Sequence, residues 1–237
     1  MTPLELRRSD GRIVRVGHRG AAALAPENSL EAIEVAASFG LDAVELDVFR
    51  RGDGALVLAH GPELPAAAPP LDDALALAAR LGLAVQLDVK VRGLEPGIVD
   101  AVRRSGLSER SFVSSFSLPV LHAFAALAPE LPRSLTYPED RLRMAERRLL
   151  RPAVRGGLLT LRALLPFRLP QMLRAAGAAA ATLNWAVATR SVVAACHAAG
   201  AVVYVWTVND AELAKTLVER NIDGIIGDDP RIIAPLE

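Results

Sequence analysis

Five times along this 237-residue chain an apolar-periodic segment ends at a glycine and gives way to a run of valine, leucine or isoleucine. The glycines are Gly40 before DAVELDV, Gly82 before LAVQLDV, Gly106 before RSFVSSF, Gly177 before AATLNW and Gly200 before AVVYVWTV. Glycine enters left-handed backbone without the steric penalty of a Cβ, so each instance reads as a helix stop followed by a strand. Counting the apolar runs gives about eight strands: IVRVG, AVELDV, AVQLDV, SFVSSF, SLTY, ATLNW, VVYVWTV and DGIIGDD. Strand and helix alternating over this length predict a parallel α/β domain. Eight repeats predict a (β/α)8 TIM barrel, with a doubly wound open sheet as the alternative. A further run, ALVLAH, follows AVELDV across Arg51-Gly52-Asp53-Gly54, too short a link for a parallel crossover, which predicts a hairpin after strand 2.

Two stretches of the helical part carry their own signals. Before LEAIEVAASF stands Glu27-Asn28-Ser29, where Asn28 or Ser29 could cap a helix, and Asn28 is assigned that task. Residues from about 140 to 174 hold nine arginines among leucines (Arg141, Arg143, Arg147, Arg148, Arg151, Arg155, Arg162, Arg168 and Arg174), with Pro152, Pro166 and Pro170 breaking the run. This reads as an irregular Arg-rich helical segment of the outer ring. Its alternative is a basic, apolar flap at the site mouth, making transient membrane contact.

Composition narrows the partners. Lys plus Arg, 27, equal Asp plus Glu, 27, so no overall positive field exists to hold nucleic acid, and no nucleic-acid partner is expected. No apolar run approaches the roughly 18 residues of a membrane span, and the opening MTPLELRRSDGRIVRV lacks the apolar core of a signal peptide. The single cysteine, Cys196, excludes an internal disulfide framework; set among small residues, it reads as a buried thiol in a reducing compartment. A cytoplasmic location is the resulting expectation.

The chemistry concentrates in VELDV and VQLDVK. Side chains alternate along a strand, so Glu45 and Asp47 share one face while Val44, Leu46 and Val48 share the other. Gln86, Asp88 and Lys90 repeat the pattern one barrel strand later. Carboxylates converging in a barrel interior repel one another unless a cation joins them, and a hard divalent ion with oxygen ligands meets that need. Lys90 offers the competing reading, a structural salt-bridge cluster. His18 and Arg19 of GHRG, and His60 of AHG, end strands, where barrel active sites are built. Two imidazoles suit acid–base work near neutral pH, and Arg19 suits a phosphate. His122 and His197 fall within helical patterns and read as structural.

In this order and at these intervals, GHRG, PENS, LDAVELDV, His60, LDVK, SSF, VWTVN and DGIIGDDP resemble the glycerophosphodiester phosphodiesterase family over nearly the whole chain. The resemblance implies a (β/α)8 barrel, a single domain over residues 1–237, that hydrolyses a small glycerophosphodiester to sn-glycerol 3-phosphate and an alcohol. It implies one divalent cation, Mg²⁺ or Ca²⁺, held by Glu45, Asp47 and Asp88, with His18 and His60 as the acid–base pair. Arg19 and Lys90 then match phosphate contacts, Glu27 a carboxylate near the metal, and Trp206 an aromatic wall over the glycerol. The third acid is usually Glu in this family and is Asp88 here, one methylene shorter. Gly61 and Gly227 stand where the family generally has Asp and Thr. Two other readings stay open: a lysophospholipase D-like or cyclic-phosphate-forming lyase on lysolipids, and a phosphate-ligand binding protein without turnover.

Overall fold

The structure, a computed structural model, describes residues 12–65, 67–138 and 151–236, the side chains of 151–158 excepted. Eight parallel strands close on themselves: β1 (Val14–His18), β2 (Ala43–Arg50), β4 (Ala84–Val89), β5 (Ser111–Ser115), β6 (Arg133–Tyr137), β7 (Ala180–Asn184), β8 (Val202–Trp206) and β9 (Gly224–Gly227). The closing pairs are β1 with β2 and β1 with β9. Strand β3 (Leu56–Leu58) lies antiparallel on β2, the hairpin that the short Arg51–Gly54 link requires. The helices α1 (Leu30–Ser38), α2 (Leu71–Leu81), α3 (Glu95–Arg104), α4 (Leu118–Leu127), α5 (Arg151–Ala176), α6 (Arg190–Ala198), α7 (Ala211–Glu219) and α8 (Pro230–Ile233) complete the (β/α)8 barrel. All five glycines that punctuate the repeat have positive φ, from 57° at Gly177 to 81° at Gly200.

Two apolar layers follow from the period-2 alternation of the strands. Outward residues such as Val44, Leu46, Val85 and Leu87 pack on the helices. Inward residues at the lower end of the barrel, among them Val14, Ala43, Ala84, Phe112 and Tyr204, form a small inner plug. Its two rings lie 5.2 Å apart. Two residues further along β2, β4 and β5 the inward positions turn polar: Ala43 gives way to Glu45 and Asp47, Ala84 to Gln86 and Asp88, Phe112 to Ser114. The barrel is therefore dry at its base and charged at the carboxyl ends of its strands.

Two expectations are corrected. The cap of α1 is Ser29, whose hydroxyl accepts from the N–H of Ala32 at 3.0 Å, and Asn28 does something else. The prolines do not break the segment after β6: one helix of 26 residues runs through Pro166 and Pro170. Each proline removes one backbone bond. Burial of Leu165, Leu169, Leu173 and Ala176 on the barrel offsets that loss. Residues 139–150 of the Arg-rich segment lie outside the described residues. No helix among the described residues is long and apolar enough to cross a membrane.

Candidate active site

The register brings the acids together. Asp47 lies beside Asp88, Glu45 beside Gln86, and His18 beside Glu45. One carboxylate oxygen each from Glu45, Asp47 and Asp88 lie within 4.8 Å of one another. Glu45 and Asp47 are buried, and Asp88 is only 13% exposed.

The turn after β1 is shaped so that backbone and side chain both face this cluster. Arg19 has φ 52°, and its N–H donates to Glu45 Oε2 at 3.0 Å. Its guanidinium lies 3.1 Å from Asp47, donates to Glu27 at 2.5 Å, and reaches 3.4 Å from His60 Nε2. Both glycines of GHRG are required by space: a Cβ at Gly17 would stand 2.2 Å from the carbonyl of Gly20, and one at Gly20 2.6 Å from Ala32 Cβ.

Asp47 is the most heavily bonded carboxylate. Asn28, at φ 55°, donates its amide N–H to Asp47 Oδ2 and accepts the backbone N–H of Asp47, both at 3.0 Å. His60 Nδ1 stands 3.2 Å from the same oxygen, and Lys90 binds the other. Lys90 also lies 3.4 Å from Asp88 and 3.1 Å from His60. Asp88 is steadied from behind by Ser114, which donates at 2.8 Å and in turn accepts from Gln86 at 2.9 Å.

These partners divide the acids. Burial, then the charge of Asp47, pushes the Glu45 carboxyl up to about 7. Burial also lifts Asp88, against the pull of Lys90. For Asp47 burial is outweighed by the His60 hydrogen bond and by Lys90 and Arg19, which hold it below the usual carboxylate range.

His18 ends β1 with Nδ1 2.6 Å from Asp228 Oδ1 and Nε2 3.9 Å from Glu45. Burial disfavours its imidazolium, but the Asp228 hydrogen bond and the Glu45 charge prevail, and its pKa is raised. With Nδ1–H given to Asp228, Nε2 is the nitrogen left to face the cluster. Asn209 holds Asp228 in turn, donating to Oδ2 and accepting the Asp228 N–H at 2.9 Å. Asp228, Asn209 and Ser114 were not among the residues expected here, and Asn28 was expected as a cap, although each sits in one of the motifs DGIIGDDP, VWTVN, SSF and PENS. Asp228 and Asn209 follow the ends of β9 and β8, and strand ends were the signal available.

Not all predicted residues join the cluster. Glu27 is 52% exposed and touches it only through Arg19. Trp206 ends β8, packs on the inner plug and gives its indole N–H to the carbonyl of Thr182 at 3.2 Å. His122 and His197 bond Ala175 O and Asp223, away from the site. Cys196 is buried, and burial raises its thiol to about 12. An open cleft beside the cluster is lined by His18, Arg19, Glu27, Asn209, Asp228 and Asp229.

The donor set fits a hard divalent ion. Glu45, Asp47 and Asp88 converge, with one permanent cation, Lys90, bridging Asp47 and Asp88; burial, and mutual charge that is not fully met, push Glu45 and Asp88 toward the neutral form. A divalent ion among the three acids would meet that charge and hold all of them ionised.

The profile of the glycerophosphoryl diester phosphodiesterase family matches residues 18–72 and 83–232. A glycerophosphodiester phosphodiesterase of Caldanaerobacter subterraneus subsp. tengcongensis is 23% identical over 93% of this chain and 96% of its own. YqiK of Bacillus subtilis, an uncharacterised protein, is 28% identical over 155 residues; that match spans 50% of this chain and 64% of YqiK. An Oleispira antarctica phosphodiesterase, solved with the product sn-glycerol-3-phosphate, superposes with a TM-score of 0.71 at 23% identity, covering 92% of this chain and 94% of the other.

Proposed function

The chain belongs to the glycerophosphoryl diester phosphodiesterase family, and from that membership we propose that it is a metal-dependent enzyme hydrolysing glycerophosphodiesters to sn-glycerol 3-phosphate and an alcohol. The observation that carries the reading is the gathering of Glu45, Asp47 and Asp88 within 4.8 Å, with His18 and His60 beside them. Relatives named for this activity, and the product bound in the Oleispira structure, support it. The described strands and helices form one barrel, which supports assigning residues 1–237 to one domain.

Glu45, Asp47 and Asp88 would hold one divalent ion, Mg²⁺ or Ca²⁺. Bound there, it supplies Lewis-acid polarisation of a phosphoryl oxygen. The protein's own groups do the rest. Arg19 and Lys90 stand beside the acids and suit the remaining phosphate charge. One imidazole of the pair takes the proton of the glycerol 2-hydroxyl as its oxygen bonds phosphorus. The other gives a proton to the alcohol oxygen as its bond to phosphorus breaks. Water then opens the cyclic phosphate with the roles reversed. Asp228 keeps His18 Nε2 turned to the site and stabilises its charged form. His60, 52% exposed, stands on the solvent side, where an alcohol can leave. Trp206, at the end of β8, and Glu27, bound to Arg19, are assigned to the glycerol wall and the rim. The lone buried Cys196 is in keeping with action in the cytoplasm.

Phosphorus NMR on glycerophosphocholine tests this with Mg²⁺, Ca²⁺ or Mn²⁺, and with a chelator. The expected product is sn-glycerol 3-phosphate, lost with chelator and reduced roughly 10²-fold or more in His18→Ala and in His60→Ala. Accumulation of the cyclic phosphate alone, or full activity in both variants, would overturn the assignment.

A further inference from the structure

Helix α5 carries a surface that the hydrolytic site does not use. Its buried edge is Leu165, Leu169, Leu173 and Ala176. Away from it Leu159 and Phe167 lie eight residues apart, about 2.2 turns, so Phe167 stands about 80° round the helix from Leu159, with Leu164 about 60° beyond. They are 60%, 76% and 47% exposed, and Phe167 is the most exposed large apolar side chain among the described residues. Arg168 and Arg174 border the same face and are exposed. Arg162 ties the helix to the turn after β7, donating to Ala186 O at 2.6 Å, and the residue before, Trp185, is 42% exposed. That turn follows the carboxyl end of β7, so α5 is level with the mouth of the barrel near Arg162 and runs from there to its base, where Gly177 O accepts from Arg133 at the start of β6.

Charge says what suits this face. Residues 141–176 contain nine arginines and one acid, Glu146, in a chain whose charges cancel as a whole, so the rest of the protein is net negative. We propose that the exposed face of α5, with Leu159, Leu164, Phe167 and flanking arginines, docks on an anionic lipid bilayer. Apolar side chains framed by arginine are the pattern of a helix lying in the membrane interface. Each arginine near an anionic surface adds attraction, while the negative remainder of the molecule is repelled, which fixes the orientation. Tryptophan beside the patch suits the same depth.

The test is sedimentation of the full chain with vesicles of phosphatidylcholine containing phosphatidylglycerol, and with phosphatidylcholine alone. Binding is expected only to the anionic vesicles, weakening with salt and accompanied by a blue shift of tryptophan emission. Phe167→Ser should lower the partition coefficient by roughly tenfold or more. Arg168→Glu with Arg174→Glu should lower it by about a hundredfold or more. Both variants should keep wild-type turnover of a water-soluble glycerophosphodiester, which separates lost docking from a lost fold. Absence of wild-type binding to anionic vesicles at low salt overturns the proposal. So does binding that neither variant reduces, or conversion of a dimer to a monomer by Phe167→Ser without any vesicle binding, which would make a second copy the occupant. None of these outcomes depends on the identity of the substrate.

Discussion

Glu45 and Asp47 stand two residues apart on one strand yet titrate in opposite directions. The cause is the company each keeps. Asp47 is met by His60, Lys90, Arg19 and Asn28, whereas Glu45 is buried and met by one backbone N–H, by other acids and, at 3.9 Å, by His18. A carboxyl whose folded value, about 7 for Glu45, exceeds its unfolded value of 4.5 favours the fold while protonated. That contribution is complete below the unfolded value and is lost as pH rises through the folded one. Asp88 and His18 are raised as well and add the same slope. Asp47 is lowered, so its contribution is already complete above its unfolded value of 3.8 and does not oppose them. Metal-free protein should therefore lose stability between pH 5 and 8, by up to about 1.4 kcal/mol per pH unit for each group. Saturating Mg²⁺ or Ca²⁺ should flatten the slope. Urea denaturation at several pH values, with chelator and with ion, measures both; equal stability of the metal-free protein at pH 5 and 8 would refute the arrangement.

At the level of the element, α5 shows packing overriding local preference. Prolines at 166 and 170 argue against a continuous helix, but residues every fourth position, Leu165, Leu169 and Leu173, are all buried against the barrel. Helices in proteins draw most of their stability from such a face. Leu169→Ala should cost about 2–5 kcal/mol in chemical denaturation, with the slope against denaturant unchanged. A cost under 1 kcal/mol would mean that α5 is held some other way. Hairpin β2–β3 works differently, since its turn fixes the register: Ala59 N–H bonds the carbonyl of Asp47, and His60 follows at once beside the Asp47 side chain.

Across the whole molecule the barrel interior is graded, apolar at the base and charged at the mouth, and the two zones share strands. Phe112 in the plug and Ser114 under Asp88 are alternate residues of β5. Phe112→Ala should therefore have two effects. Stability should fall by about 3–5 kcal/mol for the cavity. Affinity for the divalent ion should also fall, read by titration calorimetry, because the support of Asp88 loosens. A destabilised variant with unchanged ion affinity would show the zones to be independent.

The repeat of helix, glycine and strand was legible along the chain because backbone preference and period-2 alternation are local, and the hairpin followed from the length of a link. The acids of VELDV and LDVK, and the histidines at strand ends, were legible for the same reason. What sequence spacing could not supply was which polar group meets which. Asn28 reads as a helix cap by type and position, yet a left-handed backbone turns it onto Asp47, 19 residues away, and Ser29 takes the cap. Asp228 reaches His18 across 210 residues only because β1 and β9 close the barrel. The elements, and the side chains each strand turns inward, follow from the order of residues alone, because they depend on near neighbours. The pairing and charge state of the inward groups were decided by closure, which alone sets the distances and the burial on which electrostatics depends.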